Sequence, residues 1–361
     1  MCANFSIFRG LIIAVLVSLP ISALGDFSSG VAAFKSGDYE LAMVEFSQLA
    51  TAGDARAQFA VGLLYDNGQG TAESPEQASH WYTLAAEQGY PKAQFNLALM
   101  LESGRLGDAQ KAEAAALFRA AARGGNPDAV ARLHQAAAQG DSASASLLGR
   151  MYLIGHAVEK DPVLAEGWLR RAIEGDQPDA AAWFALGVMA ERGIGRARSF
   201  PDAATAYSAA VEGGHLAAHY NLARLMRLGH GGPADINRAT ALYKVAAEQG
   251  LVEAQLALAM LYEGGHDWPR DVAKAVRWYR EAARNGNADA RINLAWLYAE
   301  GVGVRQDLTA AYALYEMAKS HPSAKSNLTQ LRQRMSEQEI ENAQQWRTTW
   351  LKKQELASTE R

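Results

Sequence analysis

The chain has 361 residues, of which 49% are hydrophobic and 20% charged, with 9% aromatics and a net charge of −4. Those shares fit a folded soluble protein, and abundant alanine with few aromatics favours closely packed helices. The acidic balance argues against a nucleic-acid or anionic-membrane partner, either of which calls for a basic surface.

Residues 1–25 read as a targeting segment. Arg9 is its only charge, Leu11 to Leu19 form an apolar stretch, and Pro20 breaks it. Ala23-Leu24-Gly25 places small residues at −3 and −1, so cleavage is expected before Asp26. The stretch is short for a permanent span, although an uncleaved anchor is the alternative. After cleavage no stable membrane span is expected, and the chain is expected to be periplasmic or secreted. The only cysteine, Cys2, lies in this segment, N-terminal to the apolar stretch, where it cannot serve as a lipoprotein cysteine. The mature chain then lacks disulfides, cysteine nucleophiles and thiolate metal sites, and an exported chain of this kind suggests a bacterial periplasm.

Residues 26–53 read as a capping hairpin. Ser28 to Phe34 is one helix, Lys35-Ser36-Gly37-Asp38 a turn, and Tyr39 to Ala50 the second helix. A 36-residue period follows, aligning Ala57, Ala93, Ala218, Ala254 and Ala290. A fixed period of this length marks a solenoid of stacked supersecondary units. Two repeats are expected over 54–125 and five over 141–322.

Each repeat opens with an apolar helix carrying a small residue (Gly62, Gly149, Gly187, Ala223, Ala259 or Ala295) that permits close contact. A glycine-rich loop follows, as at Gly68/Gly70, Gly193/Gly195 and Gly264/Gly265. The second helix starts at Ser74-Pro75, Asp161-Pro162, Pro201-Asp202, Asp235, Asp271 or Asp307. It carries Trp81-Tyr82, Trp168-Leu169, Tyr207, Tyr243, Trp278-Tyr279 or Tyr315 on its apolar face. Segment 126–140 begins and ends like a repeat but lacks the middle. It reads as one helix replacing a hairpin, where the array bends or splits. A longer turn is expected around Gln177-Pro178. The tail 323–361 reads as a capping helix, with a polar helix from Leu331 to Lys353, and a partner-binding amphipathic helix as the alternative.

The pattern Ala-Gln-Phe-x-Leu-(Gly/Ala)-x-x-Tyr-x-x-Gly-x-Gly, then Asp, then Trp-Tyr-x-x-Ala-Ala-x-x-Gly resembles the Sel-one-like repeat (SLR) family, which is related to the tetratricopeptide repeat. The resemblance covers 26–353, and the tail Met335 to Ala343 is similar to the ending of bacterial members. Repeat 90–125 departs from it, with Gly104-Arg105-Leu106-Gly107 in the loop and Leu117-Phe118 for the Trp-Tyr pair. The resemblance implies an all-α, right-handed α/α superhelical solenoid of helix-turn-helix repeats. It also implies an adaptor in bacterial signalling, envelope or host-interaction complexes.

No catalytic constellation stands out: there is no G-x-S-x-G elbow, Walker loop or Rossmann fingerprint. Some cysteine-rich relatives are associated with β-lactam binding or hydrolysis, but this chain has neither their cysteines nor an S-x-x-K sequence. His215 and His219 sit four apart, as zinc ligands on a helix would, but no third ligand is evident and two unrelated histidines are the simpler reading. The Trp and Tyr pairs recur as packing between repeats demands. The better binding candidates are first-helix positions that face inward in related superhelices: Asn96, Asn221 and Asn293, then Arg224 and Trp296, with Arg150 equivalent in its own repeat. Asparagine can bond a peptide backbone and arginine a carboxylate, while the alternative for the asparagines is bonding to backbone between helices.

The expectation is therefore an exported protein-interaction scaffold that is not an enzyme, needs no cofactor or metal, and binds a protein or peptide along a concave face. The competing readings are a peptidoglycan-directed envelope enzyme or its activator, with Tyr220, Trp183 and Trp296 stacking on sugars, and a secreted host-interaction factor.

Overall fold

The computed structural model describes residues 26–174, 178–264 and 268–359. The expected signal segment and Gln177 of the expected long turn lie outside them. Among the described residues the regular structure is helix alone.

The N-terminal hairpin is α1 (Phe27–Ser36) and α2 (Tyr39–Thr51). Helix pairs follow: α3 (Ala55–Asn67) with α4 (Pro75–Glu87), and α5 (Pro91–Ser103) with α6 (Lys111–Arg123). The single helix α7 (Pro127–Ala138) comes next. Then come α8 (Ser142–Ile154) with α9 (Pro162–Ile173), α10 (Ala180–Arg192) with α11 (Phe200–Glu212), and α12 (Leu216–Leu228) with α13 (Ile236–Glu248). The last pairs are α14 (Val252–Gly264) with α15 (Val272–Arg284), and α16 (Ala288–Glu300) with α17 (Leu308–Met317). Residues up to Leu133 form one compact unit and residues from His134 a second, the boundary falling inside α7.

Short polar side chains start these helices because they accept the first N–H groups, which have no partner within the helix. Asp54 accepts from Arg56 and Ala57, Ser74 from Gln77, Asp161 from Val163 and Leu164, and Asp307 from Ala310. Two sequence readings shift here. The start expected at Pro201-Asp202 is two residues late: Ser199 is the cap and α11 opens at Phe200, with Pro201 in the first turn where its missing N–H is harmless. Gly264, expected in a loop, is the last residue of α14.

Each second helix buries one stripe at i, i+4, i+7, the spacing that keeps side chains on one helical face. The stripe is Ala78/Tyr82/Ala85 in α4, Ala203/Tyr207/Ala210 in α11 and Ala275/Tyr279/Ala282 in α15, all buried. The alanines let neighbouring helices approach and the aromatic fills the remaining space. In the pairs Trp81-Tyr82 and Trp278-Tyr279 the tyrosine is the core residue, and the tryptophan is only half-buried. The facing first helix yields room for the ring: a Cβ on Gly62 would lie 2.7 Å from the Tyr82 ring, and one on Gly187 would lie 2.6 Å from the Tyr207 ring. The glutamine after the aligned alanine ties repeats end to end. Gln58 Nε2 donates to the Ala50 carbonyl at 3.2 Å, and Gln255 Nε2 to that of Ala247 at 3.1 Å, each a second bond on a helix-end carbonyl that already accepts from the N–H of Gly53 or Gly250.

The inter-helix loop seats on the start of the second helix of the preceding repeat. Gly70, at φ +70°, brings its Cα so close that a Cβ would lie 2.3 Å from the Tyr39 carbonyl oxygen; Gly231 meets Phe200 in the same way. In the repeat after α7 this position is Ala157, held at φ +59°, the only non-glycine residue with positive φ among those described. The left-handed conformation strains alanine. Ala157→Gly is expected to stabilise the protein by about 0.5–1 kcal/mol, the relief exceeding the extra freedom gained by the unfolded chain. The check is a higher urea midpoint at unchanged m-value.

The tail departs from the helix expected over Leu331 to Lys353. It is α18 (Pro322–Arg332) and α19 (Glu337–Thr359), interrupted at 333–336. The break is a capping box: Ser336 Oγ accepts from the Glu339 N–H at 3.3 Å, and the Glu339 carboxylate accepts from the Ser336 N–H at 2.8 Å. Leu331, Ala343 and Trp350 are buried against the end of the array, with Met335 and Trp346 packed beside them.

Candidate binding face

A tyrosine hydroxyl taken out of water needs hydrogen-bond partners, and the array supplies them from two repeats at once. Tyr82 Oη donates to Asp66 Oδ2 at 3.2 Å and accepts from Asn96 Nδ2 at 3.1 Å. Tyr207 donates to Glu191 Oε2 at 2.8 Å and is hydrogen-bonded to Asn221. Tyr279 donates to Glu263 and accepts from Asn293 Nδ2 at 3.2 Å. The carboxylate sits on the first helix of the same repeat, and the asparagine on the first helix of the next. Burial pushes all three phenols well above their ordinary range, so the proton stays on the donor.

This arrangement explains where asparagine occurs. Where the preceding second helix carries Phe46 or Leu169 there is no hydroxyl to satisfy, and the equivalent positions are Ala60 and Ala185. After Tyr243 the position is Ala257, and Arg227 bonds the hydroxyl instead. Asn96, Asn221 and Asn293 are thus half-buried clamps on a side chain of the previous repeat, and the partner they bond is not backbone. Arg224 forms an ion pair with Glu191. Arg105 does the same for Asp66, at 2.6 Å, and also reaches Glu73 at 3.2 Å.

One first-helix position runs along the second unit as Arg150, Val188, Arg224, Met260 and Trp296, on α8, α10, α12, α14 and α16. Arg150 is exposed, Val188 and Arg224 are half-buried, and Met260 and Trp296 are 55% and 45% exposed. Between α12 and α14 lies a groove of about 300 Å³, walled by Tyr220, Arg224 and Arg227 on one side and Leu256, Met260 and Leu261 on the other, over Tyr243 of α13. Periodicity alone places Met260 midway between Arg224 and Trp296, and sequence reasoning passed over it because methionine carries no distinctive chemistry. Arg227 and the carboxylates Glu191 and Glu263 were also missed, because their roles depend on which helices the fold brings together.

The histidines do not converge on a metal. His215 stacks on Phe184 with centroids 4.2 Å apart, and burial lowers its basicity, while His219 Nδ1 lies 3.2 Å from the His215 carbonyl oxygen. Among the described residues no group of three or more His, Cys, Asp or Glu could hold a metal ion, and no helix is long and apolar enough to cross a membrane. Of the rings proposed to stack on sugar, Trp183 and Tyr220 are half-buried in the packing between repeats and Trp296 is exposed.

The Sel1 repeat family model matches residues 55–90, 91–126, 142–177, 216–251, 252–287 and 288–322, so the chain belongs to the Sel1 repeat family. Its fold is similar to that of a Sel1 repeat protein from Oxalobacter formigenes, with 29% identity, 84% of this chain and 86% of that one covered, and a TM-score of 0.53. A protective antigen of uropathogenic Escherichia coli strains that displays an SLR fold aligns at 22% identity over 90% of this chain and 83% of that one, with a TM-score of 0.41. Among curated proteins, chitin synthase regulatory factor 3 of Schizosaccharomyces pombe is 42% identical over 52 residues, which is 14% of this chain and 6% of that protein. The matched stretch thus spans a small fraction of that curated relative's length. The expected all-α solenoid is therefore the fold. Sel1 repeat proteins generally mediate protein–protein interaction, and the solenoid is typically a non-catalytic scaffold.

Proposed function

We propose that this chain is an exported, non-catalytic scaffold that binds a protein or peptide segment along the first-helix face of residues 134–361. The observation that carries this reading is the pair of large apolar side chains left exposed at one helical position, Met260 in the wall of the groove with Tyr220 and Arg227, and Trp296 on the next first helix. Tryptophan, tyrosine and arginine dominate the binding energy of protein interfaces, and methionine adapts to varied contacts. A glycan platform would need several free rings, and only Trp296 of the three candidates is exposed, which favours a protein segment over sugar. Export rests on Arg9, the apolar Leu11 to Leu19 and Ala23-Leu24-Gly25, with a periplasmic or secreted destination.

The test places a photo-crosslinking amino acid at position 260, at 296, or at the exposed Lys244 of the second helix α13. Crosslinks to one protein from 260 and 296 but not from 244 are expected. Trp296→Ala is expected to weaken the interaction at least tenfold, about 1.4 kcal/mol. Equal yields from all three positions would remove the face from consideration. The accumulated chain is expected to begin at Asp26, and full-length chain retained in the cytoplasm would overturn export.

A further inference from the structure

The three tyrosine–carboxylate clusters are built alike but neutralised differently. Asp66 is met by Arg105 and Glu191 by Arg224. Glu263, equivalent to Glu191 two repeats later, has no cation on its carboxylate among the described residues. Arg270 reaches the same turn, but its Nε donates to the Glu263 backbone carbonyl, at 3.1 Å. The residue at the position of Arg224 is Trp296. Asn293, one helical turn before Trp296 on the same face, donates to the tyrosine that Glu263 holds, so the helix position of Trp296 stands to this cluster as that of Arg224 stands to Glu191.

Resting on the scaffold reading above, we propose that Glu263 and Trp296 together receive an arginine side chain carried by the bound partner. Its guanidinium takes the place that Arg224 fills within the chain. The planar fork pairs with the carboxylate, while its face stacks on the exposed indole. An ammonium group lacks both the fork and the flat face, which is why the occupant is arginine rather than lysine. The other clusters carry their own arginine and leave no such place.

Two measurements on the full mature chain test this. In the first, 5-fluorotryptophan-labelled protein is titrated with N-acetyl-arginine methylamide and followed by fluorine NMR, the Trp296 signal being assigned with Trp296→Phe. A saturable shift of that signal is expected, absent with the uncharged citrulline analogue and weakened at least fivefold by Glu263→Gln. An equal response to citrulline, or one indifferent to Glu263→Gln, overturns the proposal. In the second, Trp296→Arg is expected to melt higher than Trp296→Ala, with the gain abolished in a Glu263→Gln background; a gain that survives Glu263→Gln, or no gain, counts against it. Crosslinks from positions 260 and 296 that persist in Glu263→Gln would keep the scaffold reading and sink the arginine site. Loss of position-specific crosslinks, with the Trp296→Arg coupling intact, would sink the scaffold reading and leave an uncompensated carboxylate at Glu263.

Discussion

Gly187→Leu is expected to destabilise the protein by about 3 kcal/mol, at the upper end of what overpacking a core helix contact costs. A Cβ at this position would already lie 2.6 Å from Cδ1 and Cε1 of Tyr207, whose side chain is fully buried. The ring cannot turn aside without breaking its bond to Glu191 at 2.8 Å and its link to Asn221. The equivalent pair Ala223 and Tyr243 accommodates one methyl group, so Gly187→Ala is expected to cost much less than leucine. Gly62→Leu against Tyr82 should behave like Gly187→Leu, since the contact there is 2.7 Å. The measurement is urea and thermal unfolding by circular dichroism, with hydrogen exchange to show whether α10 and α11 open first. Unchanged unfolding in both leucine variants would contradict the packing described for these helices.

The second large effect comes from a smaller change. Gly70→Ala is expected to cost about 2–3 kcal/mol. Part of this, about 1–2 kcal/mol, is the left-handed conformation at φ +70°. The rest is the collision with the Tyr39 carbonyl oxygen at 2.3 Å, a backbone atom at the first turn of α2 that has no rotamer to escape into. Gly89 is the control: its φ is +80° but no atom would lie within 4 Å of an added Cβ, so Gly89→Ala should show the conformational cost alone. The α1–α2 hairpin packs on the array partly through this loop, so its amides should lose hydrogen-exchange protection in Gly70→Ala and keep it in Gly89→Ala. Equal destabilisation by the two alanines would mean that the close approach contributes nothing.

The asparagines mark where sequence reasoning stops. Asn96, Asn221 and Asn293 recur at one helix position, and the period finds them easily. Their partner cannot be read the same way, because the tyrosine they hold lies on the second helix of the previous repeat, 14 residues earlier for Asn96 and for Asn293. Two functional readings of an amide, binding a peptide or bonding within the fold, look identical until the helices are placed side by side. The capping box at Ser336 and Glu339 shows the converse. Its two residues are only three apart, and the signal was present in the sequence, but the hydrophobic spacing from Leu331 to Trp350 suggested one continuous helix and masked it.

Local and periodic features were legible in the residues themselves: the helix pairs, the second-helix starts at Ser74, Asp161 and Asp307, and the aromatics on the apolar face of the second helices. Those features depend on contacts within a turn or two of helix, and a solenoid repeats them, so each repeat corroborates the others. Which charges meet depends instead on how the repeats stack. Glu191 finds Arg224, 33 residues away, while for the equivalent Glu263 the position of that arginine is held by an exposed tryptophan. That difference arises because each carboxylate is neutralised, or left bare, by whatever residue the next repeat happens to set against it.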